Sequence, residues 1–278
     1  MYIDFHVHAY PDKIAEKAVS GLEDCYIKAG IISAAAYRGT VSELRQTLIR
    51  CGIDKAVLLP AATRAGQAES INSWAYDTMN SEENSDGRLI CFGAVHPDDE
   101  DTDRILEGIA AWGMKGVKLH PEASGVAADD ERYMKICGKC AELGLIALFH
   151  MGADPAAADK TEGKSTPRQI AAIADRFPTL IITGAHLGGM GAYEDTMKYL
   201  CGRRNIYLDT AFADGYISDE AFCNIVRAHG ADRILFGSDM PWHLSSQEKK
   251  MIGESSLTEN EKNMIFYENA VRLLGLGQ

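Results

Sequence analysis

The feature that most constrains the fold is a regular alternation of short apolar runs with amphipathic segments. Eight apolar, β-branched runs predict strands, and the segments between them place apolar residues at helical spacing and often end in glycine. A strand followed by a helix, repeated in this way, is typical of a parallel sheet. The predicted strands cover 2–7, 55–60, 89–95, 115–120, 144–150, 180–186, 205–211 and 233–239.

Eight such units in 278 residues predict an α/β fold, a closed (β/α)8 TIM barrel. An open doubly wound sheet is the alternative architecture. No domain boundary interrupts the alternation, so we expect a single barrel domain over 1–278. The segment 9–40 departs from the pattern, and we expect it to be an inserted loop region over the mouth of the barrel.

Charge and composition limit the partners of the protein. The formal net charge of −12 disfavours nucleic acid and anionic membranes, and no apolar run is long enough for a membrane helix. We therefore expect a small-molecule substrate and neither a nucleic-acid nor a membrane partner; the sequence leaves the homo-oligomeric state open. The chain opens without a basic-then-apolar leader and has seven scattered cysteines, so we expect a cytoplasmic protein with reduced thiols.

Two histidines at the end of the first strand point to metal chemistry. His6 and His8 are two residues apart, so in a strand their side chains project from the same face. Two neutral imidazoles on one face can hold one metal ion, and catalytic zinc sites commonly add a further nitrogen or a carboxylate and leave a position open for water. A solvent-facing strand end is the structural alternative for an isolated pair, so partners are required elsewhere in the chain.

The partners come from the ends of other predicted strands. In (β/α)8 barrels the chemistry lies at the carboxyl ends of the strands. Polar residues stand at these ends in the fourth, fifth, sixth and eighth predicted strands: Lys118 and His120, His150, His186, and Asp239. This convergence favours a metal site. His96 follows the third strand as a weaker candidate, whereas His229 lies in a predicted helix and is expected to be structural.

The motifs together resemble a known superfamily. H-x-H, G-V-K-L-H-P, F-H, H-L-G-G and F-G-S-D-M-P-W are similar to the motifs of the amidohydrolase superfamily, and within it to the group that includes the aminocarboxymuconate semialdehyde decarboxylases and several lactonases. The motifs span 6–242, which is nearly the whole chain. They are specific for the superfamily and do not identify a substrate.

The resemblance implies a divalent metal cofactor in the barrel. Zinc is the expected ion, with manganese or iron as alternatives, because imidazole and carboxylate ligands suit several metals. The implied metal ligands are His6, His8, Lys118, His150, His186 and Asp239; Asp239 and His186 are also the implied catalytic residues, and His120 is assigned to substrate binding. Lys118 leaves the number of ions open. Carboxylated, it bridges two metals; as a free amine, it accompanies one.

The expected reaction is metal-assisted hydrolysis of a lactone, a cyclic amide or a related carboxylic-acid derivative. A bound metal makes hydroxide available near neutral pH, Asp239 transfers the proton, and His186 supports the developing oxyanion. A non-oxidative decarboxylase or hydratase with the same metal site is the alternative. A barrel that binds metal without catalysis is a third reading, against which the carboxylate of Asp239 argues.

Overall fold

Parallel strands surround the axis of the molecule in chain order. The computed structural model describes residues 1–32, 34–154, 156 and 163–277. Only Phe92 separates β3 from β4, so the strands occupy the eight positions predicted from the sequence. The strands are β1 Ile3–Val7, β2 Lys55–Leu58, β3 Leu89–Cys91, β4 Gly93–Ala94, β5 Gly116–Leu119, β6 Ile146–Phe149, β7 Ile182–Gly184, β8 Ile206–Asp209 and β9 Ile234–Leu235.

The sheet closes on itself, which confirms the (β/α)8 barrel. Each strand pairs in parallel with the next, in the orders β1-β2-β3 and β4 to β9. The amide of Phe5 donates to the carbonyl of Phe236 at 2.7 Å, so the last strand returns to β1. A parallel bridge between Val7 and Met240 extends this contact towards the carboxyl ends. Every edge strand is thereby paired, as a closed barrel requires.

Helices follow the strands around the outside of the barrel, and several begin at the capping residues that the sequence provides. In three helices the side chain of the capping threonine accepts the backbone N–H of the residue three positions later. The Glu or Gln side chain at that later position accepts the backbone N–H of the threonine. The three capping residues are Thr40, Thr166 and Thr258. The helices are α1 Asp12–Lys28, α2 Val41–Arg50, α3 Ala68–Met79, α4 Thr102–Ala111, α5 Pro121–Ser124, α6 Glu131–Leu143, α7 Pro167–Arg176, α8 Tyr193–Tyr199, α9 Asp219–His229, α10 Ser245–Glu254, α11 Glu259–Asn263 and α12 Asn269–Leu274.

Two buried apolar clusters hold the barrel together. The larger cluster joins outer strand residues to the helices and includes Cys137 and Cys140 of α6, which are free and buried. Burial raises the pKa of the Cys140 thiol to about 12, which fits a role in packing. The second cluster contains Phe5 and Phe92, whose rings meet edge to face, and receives side chains from α12.

The segment 9–40 contains helix α1, which the sequence pattern did not predict. Tyr26, near the end of α1, packs its ring against Trp242 at a centroid distance of 5.0 Å. Tyr26 and Trp242 belong to a third apolar cluster, which also includes buried Phe212 and partly buried Ile31. These contacts connect the segment with loops that follow β8 and β9. Within the described ranges, no helix combines the length and the apolar character needed to cross a membrane.

Candidate metal centre

The carboxyl ends of the strands bring three potential ligands to one point. The Nε2 atom of His8 lies 3.0 Å from Oδ1 of Asp239, and the Nε2 atom of His6 lies 3.3 Å from the same oxygen. One ligand atom from each of these side chains falls within 4.8 Å of the others. Two imidazole nitrogens and one carboxylate oxygen are a donor set that suits several divalent metals.

Neighbouring groups orient both histidines of the first strand. The Nδ1 atom of His6 lies 2.8 Å from a carboxylate oxygen of Asp209, and Nδ1 of His8 lies 2.8 Å from the carbonyl of Leu59. Both partners accept, so in the neutral rings the proton is on Nδ1 and the lone pair is on Nε2. A metal-ligating histidine is usually held in this way, by a hydrogen bond from its other nitrogen.

Burial keeps the first histidine in the form that can bind a metal. Desolvation, and then the charge of Lys118, lower the pKa of His6 well below its usual value. The ring is therefore neutral at physiological pH. Gly237 permits this packing, because a Cβ atom there would lie 3.0 Å from Cβ of His6 and 3.3 Å from Cβ of Asp209.

Two further histidines face each other beside this group. Nε2 of His186 lies 3.3 Å from Nδ1 of His150, and Nδ1 of His186 lies 3.0 Å from the carbonyl of Ala211. The proton of His186 is thus on Nδ1, and its Nε2 presents a lone pair towards His150. Nε2 of His150 is buried and has no hydrogen-bond partner in the described part of the chain. An unpaired buried nitrogen of this kind fits a metal or substrate ligand.

Lys118 lies within the same group of side chains. It is almost fully buried, and its Nζ atom lies 3.1 Å from Nε2 of His6. Burial lowers the pKa of Lys118 to about 8, although the carboxylates of Asp209 and Asp239 act in the opposite direction. The amine is therefore close to the candidate ligands and easily made neutral.

Asp239 is held as an ionised carboxylate on a strained backbone. Burial acts to raise its pKa, but its contacts with the neighbouring imidazoles of His6 and His8 outweigh burial and hold the pKa of Asp239 well below its usual value. Its φ is +73°, and that of His186 is +58°. Positive φ is costly for residues other than glycine and is frequent at functional sites. The amide of Asp239 donates to the carbonyl of His6 at 2.8 Å, which fixes this turn.

A second group of potential ligands lies next to the first. His120, His150 and Asp154 each place one nitrogen or oxygen within 4.8 Å of the others. The rings of His120 and His150 are stacked with a centroid distance of 4.2 Å and an interplanar angle of 7°. Nε2 of His120 lies 3.7 Å from Oδ2 of Asp154. His186 links the two groups, because its ring lies 5.4 Å from that of His6 and 4.9 Å from that of His150.

A cavity opens beside these side chains, and its walls are partly apolar. His150, His186, Asp154 and Asp239 contribute its polar lining. Segment 9–40 and the loops after β6, β7 and β8 provide the rest of the lining: Tyr26, Ile31, Met151, Ala153, Met190 and Phe212. No arginine or lysine of the described chain lines it. The cavity thus suits a small, partly apolar molecule that is held by polar groups on one side.

Three further histidines lie outside this group. His96 is buried after β4, and its Nδ1 accepts the amide of Asp98 at 3.1 Å. His229 is buried in α9, and its Nε2 lies 2.9 Å from the carbonyl of Ile206. His243 lies against Phe212 with a ring centroid distance of 5.0 Å. The buried position of His229 in α9 agrees with the structural role expected from the sequence.

Sequence reasoning missed two acidic residues. Asp209 ends β8, where it holds His6 and also accepts the amide of His186 at 2.9 Å. Asp154 follows β6 by five residues and faces His120. The signal for Asp209 was present, because it is the polar residue at the end of the seventh predicted strand. Asp154 lies in a loop, where an isolated aspartate carries no periodic signal.

The fold and the site together define a metal-dependent enzyme built on a (β/α)8 barrel. A family model described as Amidohydrolase matches residues 3–276. The chain therefore belongs to the amidohydrolase family. A comparison with curated proteins finds no match.

Solved structures share the fold over the whole chain. An uncharacterised TIM-barrel protein from Bordetella bronchiseptica is 17% identical, with a TM-score of 0.79 and coverage of 99% of this chain and 98% of that one. For 5-carboxyvanillate decarboxylase from Sphingomonas paucimobilis the identity is 18%, the TM-score 0.71 and the coverage 99% of each chain. A dihydroxybenzoic acid decarboxylase from Polaromonas sp., with bound manganese and the inhibitor 2-nitroresorcinol, is 18% identical, with a TM-score of 0.71 and coverage of 100% and 97%.

Proposed function

We propose that the protein is a non-oxidative decarboxylase that uses one divalent metal and acts on a small, planar, hydroxylated carboxylic acid. The observation that carries the proposal is the placement of the triad His6, His8 and Asp239 beside a cavity with partly apolar walls. The full-length similarity to decarboxylase structures supports the same reaction. Hydrolysis, which the sequence analysis favoured, is the second candidate, because a metal-activated water could use the same side chains.

The metal would be held by His6, His8 and Asp239, with His150 as a further ligand through one of its nitrogens. When bound, the ion supplies positive charge that orients the substrate carboxylate and stabilises the electrons left on carbon. The manganese bound in the Polaromonas enzyme makes manganese as good a candidate as zinc. Asp209 holds His6 in position, and His186 lies against His150.

The proton has a defined carrier in this proposal. Decarboxylation replaces the bond from carbon to the carboxylate by a bond from carbon to hydrogen, so one proton must reach that carbon as carbon dioxide leaves. Asp239 is ionised, since its contacts with the neighbouring imidazoles keep its pKa low. It accepts a proton from the substrate hydroxyl or from water and delivers it to the carbon. His186 has its lone pair on Nε2, which lies 3.3 Å from Nδ1 of His150 and holds that ring in position.

Lys118 is assigned as a free amine. Its Nζ atom lies 3.1 Å from His6, so one N–H can point towards the ligand group while the others reach a substrate carboxylate. The cavity lining itself contains no lysine or arginine among the described residues, which gives an amine beside the ligand group a distinct use. As a carbamate it would instead bridge two metals, and this second reading predicts two ions per chain.

The experiment that tests the proposal compares carbon dioxide release with lactone ring opening in one panel of candidate substrates. The protein is loaded with Mn²⁺ or Zn²⁺ and incubated with hydroxybenzoates, including 2,6-dihydroxybenzoate, and with lactones. We expect carbon dioxide release from at least one acid, loss of release with a chelator, and recovery when the metal is returned. Ring opening of lactones without carbon dioxide release would instead support the hydrolase.

A further inference from the structure

His120 and Asp154 form a pair that the metal chemistry does not use. They have the donor types of a metal site, and with His150 they lie close enough together for one. The hydrogen bonds around His120 show why they do not serve in that way. This inference takes the substrate class from the proposed function and adds a second point at which the protein recognises the substrate.

The backbone fixes the tautomer of His120. This residue precedes α5, and its Nδ1 atom accepts the amide N–H of Ala123 at 3.2 Å. An amide can only donate, so Nδ1 carries the lone pair and the proton of the neutral ring is on Nε2. Binding of a metal at Nε2 would require removal of this proton as well. His6 and His8 show the opposite arrangement, with Nδ1 beside an acceptor and a lone pair on Nε2.

The Nε2 atom of His120 lies close to a carboxylate, at a distance too long for a direct hydrogen bond. Nε2 lies 3.7 Å from Oδ2 of Asp154, and the His120 side chain keeps 15% of its exposure. The other carboxylate oxygen, Oδ1, is already used by the amide of Ala156 at 2.8 Å and the hydroxyl of Tyr26 at 3.4 Å. Oδ2 is thus the oxygen nearer the His120 donor, and one oxygen atom placed to the side of the line between the two atoms lies within hydrogen-bond distance of both.

The chemistry of a bridging atom follows from its two neighbours. It must accept a hydrogen bond from His120 and donate one to Asp154. A hydroxyl group does both, whereas a carboxylate or carbonyl oxygen would lie unpaired against Asp154 and an ammonium group would oppose the N–H of His120. Since Asp154 lines the cavity that Asp239 also lines, the same small molecule can reach both ends.

We propose that His120 and Asp154 recognise a hydroxyl group of the substrate, away from the end that the metal ligands hold. An acid that lacks this hydroxyl leaves the N–H and the carboxylate without a shared partner. Leaving a buried polar group unpaired weakens binding by about 10- to 100-fold. The pair therefore determines specificity and is not a second metal site.

The test measures equilibrium binding and metal content on the Mn²⁺-loaded protein. The probes are salicylate and its relatives with one added hydroxyl, namely 2,3-, 2,4- and 2,5-dihydroxybenzoate. We expect at least one relative to bind about 10- to 100-fold more tightly than salicylate. The ratio of the salicylate Kd to the Kd of the preferred dihydroxybenzoate should fall to near unity in two variants. These are H120F, which keeps a stacked ring, and D154N, which keeps the shape of Asp154.

The matched control is H96F. His96 also follows a barrel strand and accepts a backbone amide through Nδ1, but its ring lies outside the two ligand groups. This variant should keep the hydroxyl preference, and all three variants should keep the metal content of the original protein. Equal binding of the four acids to the original protein, or loss of a metal ion from H120F or D154N, would overturn the proposal. Carbon dioxide release is measured separately, so failure of the decarboxylase proposal is distinguishable from failure of this one.

Discussion

Asp209→Asn tests whether the metal site depends on the carboxylate that orients His6. The native oxygen lies 2.8 Å from Nδ1 of His6, and both groups are buried. The second oxygen accepts the amides of His186 and Ala211 at 2.9 and 3.1 Å. Asparagine can keep these two bonds through its oxygen, so the fold should persist. Its amide nitrogen then faces Nδ1 of His6 and favours the tautomer with the proton on Nε2, which cannot bind a metal.

Loss of such an orienting partner typically lowers metal affinity by about 10- to 100-fold, which corresponds to about 1.4 to 2.7 kcal/mol. The assay is competition for Mn²⁺ or Zn²⁺ with a chelator of known affinity, with circular dichroism to confirm folding. Asp175→Asn is the matched control, because its carboxylate is exposed and pairs with Arg203 at the surface. A folded Asp209→Asn protein with unchanged metal affinity would refute the reasoning.

Three other changes have defined outcomes. Asp239→Asn should stay folded and reduce turnover by about 10²- to 10⁴-fold through loss of proton transfer; a near-normal rate measured at metal saturation would place the proton carrier elsewhere. Lys118→Ala should keep one metal per chain by elemental analysis and gain nothing from added acetate, whereas loss of a metal with rescue by acetate would indicate a carbamate. Burial lowers the pKa of His229 to about 4, below the unfolded value near 6.5, so the unfolded chain binds more protons between these values and stability falls as the pH is lowered through this range. His229→Gln should remove about 3 kcal/mol of the stability change between pH 7 and pH 4 in denaturant titrations, and an unchanged pH dependence would contradict the assignment.

The sequence was sufficient to predict the eight strand positions, because each buried strand is a short apolar run flanked by helical periodicity. The observed strands are shorter than the predicted ones. β9 ends at Leu235, for example, whereas the prediction reached Asp239, because residues after Leu235 leave the ladder to approach the site. Histidines and Asp239 at these ends were visible in the sequence for the same reason.

The remaining parts of the site depend on contacts between distant segments. The bond from His6 to Asp209 joins residues 203 positions apart, and periodicity carries no information about such pairs. The tautomer of His120 depends on one amide of the short helix α5. Helix α1 has only Ala15 and Val19 fully buried, so its apolar pattern is weak in the sequence.

The most direct test of the proposed reaction follows the atoms in isotopically labelled water. The metal-loaded protein is incubated with an acid that it consumes, in D₂O and separately in H₂¹⁸O, and the products are analysed by mass spectrometry and NMR. Decarboxylation predicts one deuterium on the carbon that lost carbon dioxide and no ¹⁸O in the product. A product that retains its carboxylate and carries ¹⁸O from the solvent would show hydrolysis and contradict the account.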